Sequence, residues 1–123
     1  MESRNLRFCH IGCGAHAESS HGPAQARYAA AHAEVVLAAC CDVDAGRAER
    51  HRQRFGFARA YTDAFEMIAA ERPGAAALAV PVTVTAALGA RVLERGVPLL
   101  IEKPPGCTVE EVDRLVAAAT AGR

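Results

Sequence analysis

The sequence is almost without lysine: Lys103 stands alone against thirteen arginines. Tryptophan is absent, and aromatic residues make up 5% of the 123 residues. Net charge is absent too, with 14 basic and 14 acidic side chains, which argues against a nucleic-acid partner or an anionic membrane surface. No apolar run approaches the roughly 20 residues of a membrane span. The segment Met1-Glu2-Ser3-Arg4-Asn5 leads into a short strand-like run, not into a signal-peptide core. A cytoplasmic location is the default expectation. The five cysteines, Cys9, Cys13, Cys40, Cys41 and Cys107, include no C-x-x-C pair, and no Cys/His group has zinc-ligand spacing. No metal site is expected, and the thiols read as reduced, small apolar residues. Cys13 differs in lying in a glycine loop, where a thiol can be exposed, and the inert reading is preferred there as well.

What is present is an alternation. A chain of this length makes one domain, 1–123, able to bury roughly two-thirds of its unfolded surface. Strand-like segments fall at Leu6 to Ile11, Val35 to Cys41, Phe57 to Tyr61, Ala75 to Val80 and Val97 to Ile101. A helix is expected to open near Ala15, to be interrupted by Gly22-Pro23, and to resume from Pro23 through Ala33. Further helices are expected from Ala45 to about Arg54 (capped by Asp44, stopped by Gly56), from Ala64 to Glu71, and from after Thr83 to about Glu94. Thr108-Val109-Glu110-Glu111 is a capping-box pattern for a last helix running to Ala121. Continuously apolar strands separated by helices mean a parallel sheet covered on both faces, and right-handed crossovers make it doubly wound: an α/β, three-layer αβα, Rossmann-type domain.

Gly12-x-Gly14-x-x-Ala17 follows the first strand and opens a helix. In that setting Gly12 permits the tight turn and Gly14 lets the backbone approach a pyrophosphate. Ala17 keeps the helix close to the sheet, and the helix N-terminus at Ala15 and His16 offers N–H groups to phosphate. His16 is placed to contact phosphate or nicotinamide, although such a histidine is more commonly a partly exposed helix residue. Asp42 ends the second strand, where a carboxylate accepts from both ribose hydroxyls and repels a 2′-phosphate, favouring NAD over NADP. Arg47, one turn into the next helix, leaves NADP open. Arg50, Arg52, Arg54 and Arg59 read as a solvated basic face. His10, His32 and His51 carry no readable signal. Lys103 lies at the carboxyl end of the last strand, where α/β folds bind ligands, and an amine, unlike a guanidinium, can exchange a proton near neutral pH.

The loop, Asp42, Phe55-Gly56, Tyr61-Thr62-Asp63, Pro81 after an apolar strand, and above all Glu102-Lys103-Pro104 resemble the N-terminal half of the Gfo/Idh/MocA oxidoreductases. Those enzymes are related to glucose-6-phosphate dehydrogenase, whose E-K-P-x-G motif is matched by Glu102 to Gly106. The resemblance runs from Arg7 to about Gly122. It implies a Rossmann domain that binds NAD(P), with Glu102, Lys103 and Pro104 at the cofactor and Pro81 passing beside the nicotinamide. Lys103 would orient the substrate's reacting oxygen and assist its proton transfer. Two positions depart from the family pattern: Val82 stands where asparagine is common, and Thr85 where histidine is common. The family's second domain, which supplies most of the substrate pocket, is not encoded in these residues.

The leading expectation is the cofactor half of a dehydrogenase acting on a sugar- or polyol-like hydroxyl or carbonyl, binding a dinucleotide without turnover as this chain alone. Whether this chain acts as an enzyme in its own right is therefore left open. The alternative is a non-catalytic dinucleotide-binding sensor or partner subunit. An S-adenosylmethionine-dependent methyltransferase ranks below both, because Glu102-Lys103-Pro104 has no role there.

Overall fold

The computed structural model describes residues 5–122; the expectation for Met1 to Arg4 lies outside them. Five parallel strands, β1 (Leu6–Ile11), β2 (Val35–Cys41), β3 (Arg59–Tyr61), β4 (Ala75–Leu78) and β5 (Leu99–Ile101), lie in the order β3-β2-β1-β4-β5. The order reverses between β1 and β4, so the switch point lies at their carboxyl ends. Five α-helices follow the strands: α1 (Gly22–Ala31), α2 (Ala45–Phe55), α3 (Ala64–Glu71), α4 (Val82–Leu93) and α5 (Val109–Ala121). Helices α1 and α2 cover one face through Phe8, Ala26, Cys40, Phe55 and Phe57. Helix α3 covers the other through Ala64, Met67 and Ile68 against Cys9, Ile11 and Ala39. Beside it α4 carries α5 on Ala86, Ala90, Leu115 and Ala118. This is the doubly wound, three-layer architecture that the alternation implies.

The helix ends follow local chemistry. Asp44 accepts from the Arg47 N–H, Asp63 from the Phe65 and Glu66 N–H groups, and Thr108 and Glu111 form a capping box. Other boundaries differ from expectation. β3 and β4 are shorter, and α4 starts at Val82 behind Pro81 rather than after Thr83. β5 begins at Leu99 and is not the fully buried strand its apolar run suggests: it is the sheet edge, and Leu100 is 64% exposed. An apolar run cannot distinguish a central strand from an edge.

The largest local departure is at Gly22-Pro23. The helix entered at Ala15 is not broken there; a π-helical turn, Ala17–His21, carries it into α1, which ends at Ala31 and not Ala33. The Gly22 N–H reaches back to the Ala17 carbonyl, and the wider turn passes the missing N–H of Pro23 without a break. Gly22 is required by packing, since a Cβ there would lie 2.3 Å from the Phe55 ring.

At the opposite end of the sheet, Glu71 closes α3 onto two strands. Its carboxylate accepts from Arg7 Nη2 at 2.6 Å, Arg59 Nε at 2.5 Å and the Tyr61 hydroxyl at 2.6 Å. These donors, Arg59 foremost, hold the carboxyl at about 2 against the opposing effect of burial. A folded-state pKa below the ordinary 4.5 means that this stabilisation is complete above about pH 4.5 and is lost as pH falls toward 2. Urea unfolding at pH 7 is expected to find Glu71→Gln less stable by about 1–2 kcal/mol, since the carboxylate is buried but its arginine partners are partly solvated and recover water when it is neutralised. That difference should shrink on acidification as the wild-type carboxylate protonates.

Candidate functional site: a cleft at the strand switch point

The exit of β1 is stitched to both neighbours. The Gly12 N–H donates to Cys41 O at 2.8 Å, and the Ala79 N–H to Ile11 O at 2.9 Å. Gly12 has φ +100°, and a Cβ there would lie 2.0 Å from Ala79 O, so only glycine fits. Beneath it His10, fully buried, places Nε2 2.7 Å from Gly12 O and Nδ1 3.1 Å from Gln25 Nε2. The pair fixes a neutral ring that donates from Nε2 and accepts at Nδ1, in keeping with a pKa pushed down to about 3, first by burial and then by His51. His51 stacks on His10 at 5.1 Å. Sequence reading missed both residues; the available signal was a histidine inside an apolar strand directly before the glycine loop.

Gly14 is the opposite of Gly12. A Cβ added there meets nothing within 4 Å, because the position opens into a cleft of about 870 Å³. That cleft is lined by Gly12, Gly14, Ala15, His16, Ala17, Asp42, Arg47, Pro81, Glu102 and Lys103, which converge from the ends of β1, β2, β4 and β5. Pro104, the remaining residue singled out in the sequence, follows Lys103 through a cis peptide and does not line it. The Glu18 N–H bonds back to Gly14 O, so the N–H groups just before it have no intrahelical acceptor and face the opening of the helix.

Asp42 serves the loop itself. Oδ2 accepts from the Cys13 N–H at 2.8 Å and Oδ1 from the Asp44 N–H at 2.9 Å. A carboxylate has further lone pairs, so Asp42 can shape the glycine turn and still accept from a ligand. Cys13, in a loop where a thiol can be exposed, is buried at 5% exposure with its thiol against Cys41 O, in keeping with the inert reading. The Cys40 thiol beside it and its own burial push its pKa far up; Cys9 and Cys41 are pushed up to about 12, mainly by burial. The arginines do not form one solvated face. Arg52 pairs with Glu49, Arg54 with Glu18 and Arg59 with Glu71, whereas Arg47 and Arg50 border a recess of about 220 Å³ that meets the cleft at Gly14 and Ala15.

At the far side of the cleft, Glu102 Oε2 lies 2.9 Å from His16 Nε2 and 2.5 Å from His21 Nε2, and Oε1 accepts from the Lys103 N–H at 3.1 Å. His21 foremost, then His16, lowers the Glu102 pKa below the ordinary carboxylate range. Glu102 is therefore spent on holding the helix entrance to the end of β5. His21 lies close to the glycine loop in the sequence, but only the fold brings it to Glu102. The Lys103 side chain is exposed in the cleft and makes no hydrogen bond or ion pair among the described residues. Thr85 is buried, with its hydroxyl donating to Pro81 O and Val80 O, so it is a helix-entry residue that does not reach the cleft.

A doubly wound sheet with a glycine turn, an open helix N-terminus and an acid at the end of β2, all at the switch point, defines a dinucleotide-binding Rossmann domain. The family model described as the oxidoreductase family, NAD-binding Rossmann fold, matches residues 6–122, and the chain belongs to that family, Gfo/Idh/MocA. No curated protein matches the sequence. Among solved structures, the WlbA dehydrogenase from Bordetella pertussis in complex with NADH and UDP-GlcNAcA is 24% identical, with a TM-score of 0.84 over 97% of this chain and 35% of its own. KijD10, a 3-ketoreductase from Actinomadura kijaniata in complex with NADP and TDP-benzene, is 25% identical, with a TM-score of 0.82 over 95% and 34%. The myo-inositol 2-dehydrogenase from Lactobacillus plantarum is 25% identical, with a TM-score of 0.77 over 97% and 34%. The chain thus spans about a third of the length of these structures.

The two loop glycines should respond differently to a methyl group. Gly12→Ala combines a left-handed backbone with a clash against backbone and is expected to cost roughly 2–4 kcal/mol. Gly14→Ala should stay within about 0.5 kcal/mol of wild type, as at an open surface position. Thermal unfolding followed by circular dichroism measures both.

Proposed function

We propose that this chain is the dinucleotide-holding part of an NAD(P)-dependent oxidoreductase that moves hydride to or from a hydroxyl or carbonyl carbon of a sugar- or polyol-like substrate. The observation that carries the reading is the placing of Gly14, Asp42 and Lys103 on one cleft. When bound, the dinucleotide supplies the hydride chemistry. The protein's part is binding and orientation. The N–H groups opening the helix after Gly14 hold the pyrophosphate, and the space beside Gly14 admits it. Asp42 accepts from the adenine-side ribose. Lys103, at the other end of the cleft, directs an ammonium at the substrate oxygen, steadying charge there and exchanging its proton. The relatives' names, a sugar-nucleotide dehydrogenase, a ketoreductase and an inositol dehydrogenase, support the substrate class. Because those proteins are about three times longer, turnover is assigned to a protein that also carries a substrate domain, and this chain alone is expected to bind cofactor only. A non-catalytic dinucleotide module is the second reading, favoured by the withdrawal of Thr85 from the cleft.

Asp42 sets the expected preference for NAD(H) over NADP(H), with Arg47 and Arg50 acting in the opposite direction. Calorimetric titration of the chain should find NADH the tighter ligand, and the reverse order would overturn the assignment of Asp42. Gly14→Val should keep the native fold and lose NADH binding, since its side chain fills the pyrophosphate approach. Unimpaired binding would mean that the loop does not hold the dinucleotide.

Lys103→Arg, made in a form that carries its substrate domain, separates the two functional readings. Arginine keeps the charge but not the compact, exchangeable amine. Steady-state kinetics should show turnover lower by roughly 10²–10⁴-fold with cofactor affinity little changed. A normal rate would leave Lys103 with no part in the chemistry.

A further inference from the structure

His16, His21 and Glu102 bring three ligand atoms within 4.8 Å of one another, although Glu102 is 86 and 81 residues distant from the two histidines. Three features make this more than a chance hydrogen bond. The first is the π-helical turn. At about 100° per residue, positions five apart on an α-helix point roughly 140° away from each other. The wider turn over Ala17–His21 instead brings the His16 and His21 rings to 5.2 Å, edge to face, and such turns are frequent at functional sites. The second is the convergence itself. Both Nε2 atoms address the same carboxylate oxygen, Glu102 Oε2, while Oε1 is held by the Lys103 N–H. The third is access. The His21 side chain is 14% exposed and Glu102 27%, but His16 is 58% exposed and borders the cleft.

We infer that these three residues form a binding site for one divalent transition-metal ion, best suited to Zn²⁺. Two neutral imidazoles and one carboxylate match the borderline-soft first-row metals and do not match Mg²⁺ or Ca²⁺, which require mostly oxygen ligands. Ligand bonds of about 2.0–2.2 Å in a tetrahedral shell set neighbouring ligand atoms roughly 3.3 Å apart, so each histidine opens from Glu102 by less than about 1 Å from the present 2.9 and 2.5 Å contacts, while the two imidazole nitrogens, within 4.8 Å of each other, close by up to about 1.5 Å. Three protein ligands leave a fourth position open, which is the pattern of a metal that takes an exogenous ligand. His16 and Glu102 both line the cleft, so an oxygen of a bound phosphate or substrate can complete the shell from that side. The Lys103 N–H on Oε1 holds the carboxylate orientation, the kind of outer contact that tunes such sites. The ligands are invisible to sequence spacing because the π turn creates one half of the site and the β5 end supplies the other.

The site is independent of the dinucleotide reading, and its test uses no dinucleotide. The tag-free 123-residue chain, stripped with chelator, is titrated with ZnCl₂ by calorimetry and with Co²⁺ followed by its visible absorption. One equivalent should bind, unaffected by excess Mg²⁺. Glu102→Gln and His21→Ala should each weaken Zn²⁺ binding at least about 100-fold, and His16→Gln, on the exposed side chain, about 10–100-fold. His32→Ala and Cys107→Ser, away from the cluster, should bind as wild type. Circular dichroism of each variant separates ligand loss from unfolding, and the His16→Gln result stands even where a more buried variant fails to fold. The absence of stoichiometric uptake by the wild-type chain, uptake unchanged in the three ligand variants, or uptake abolished by Cys107→Ser would overturn the inference and leave a hydrogen-bonded clamp.

Discussion

The site depends on how closely the backbone leaving β1 passes the backbone leaving β4. At Gly12 the separation leaves no room for a side chain: a Cβ would sit on Ala79 O. The same residue bonds to β2 through Cys41 O, and its own carbonyl is taken by buried His10. One turn thereby fixes the ends of three strands, and each contributes a wall of the cleft. Asp42 then pulls the Cys13 N–H inward, which turns Gly14 outward into open space. An enclosed glycine at positive φ and a free, exposed one two residues apart are both needed. The first sets the direction of the chain, and the second leaves its backbone uncovered.

Charge is distributed with similar economy. The chain has no net charge, but its ion pairs are not spread evenly. Glu71 consumes Arg7 and Arg59 at the amino end of the sheet, while Glu49 and Glu18 consume Arg52 and Arg54 along α2. What remains unpaired among the described residues near the carboxyl ends includes Arg47 and Arg50 on one side of the glycine loop and Lys103 on the other. An anion entering the cleft meets cations at both ends and helix N–H groups between them, an arrangement that favours phosphate-bearing ligands.

Much of this was legible in the sequence. The strand–helix alternation, the caps at Asp44 and Thr108, and the order of motifs were sufficient for the fold and the family, because each rests on local chemistry. Ten of the residues that line the cleft could be named for the same reason, since the end of a strand is a local feature. What escaped depends on long-range packing. Gly22-Pro23 reads locally as a break, but the Phe55 ring makes glycine necessary there and a π turn carries the helix through. Asp42 reads as a ligand residue, and only the three-dimensional register reveals that it also binds the loop. The partnership of Glu102 with His16 and His21 spans most of the chain. The exposure of Leu100 follows from its place on an edge strand, between Leu99 and Ile101 that face the packed side, which an apolar run cannot report.

The central claim is that a dinucleotide lies across this switch point with its pyrophosphate at the helix opening. Amide-resolved NMR of the ¹⁵N-labelled chain during titration with NADH tests it most directly. The account predicts saturable shifts concentrated at Gly12 to Ala17, Asp42, the segment after Leu78 and Glu102-Lys103, with the Glu71 end of the sheet unmoved. Shifts confined to that opposite end, or no saturable shifts at all, would contradict it.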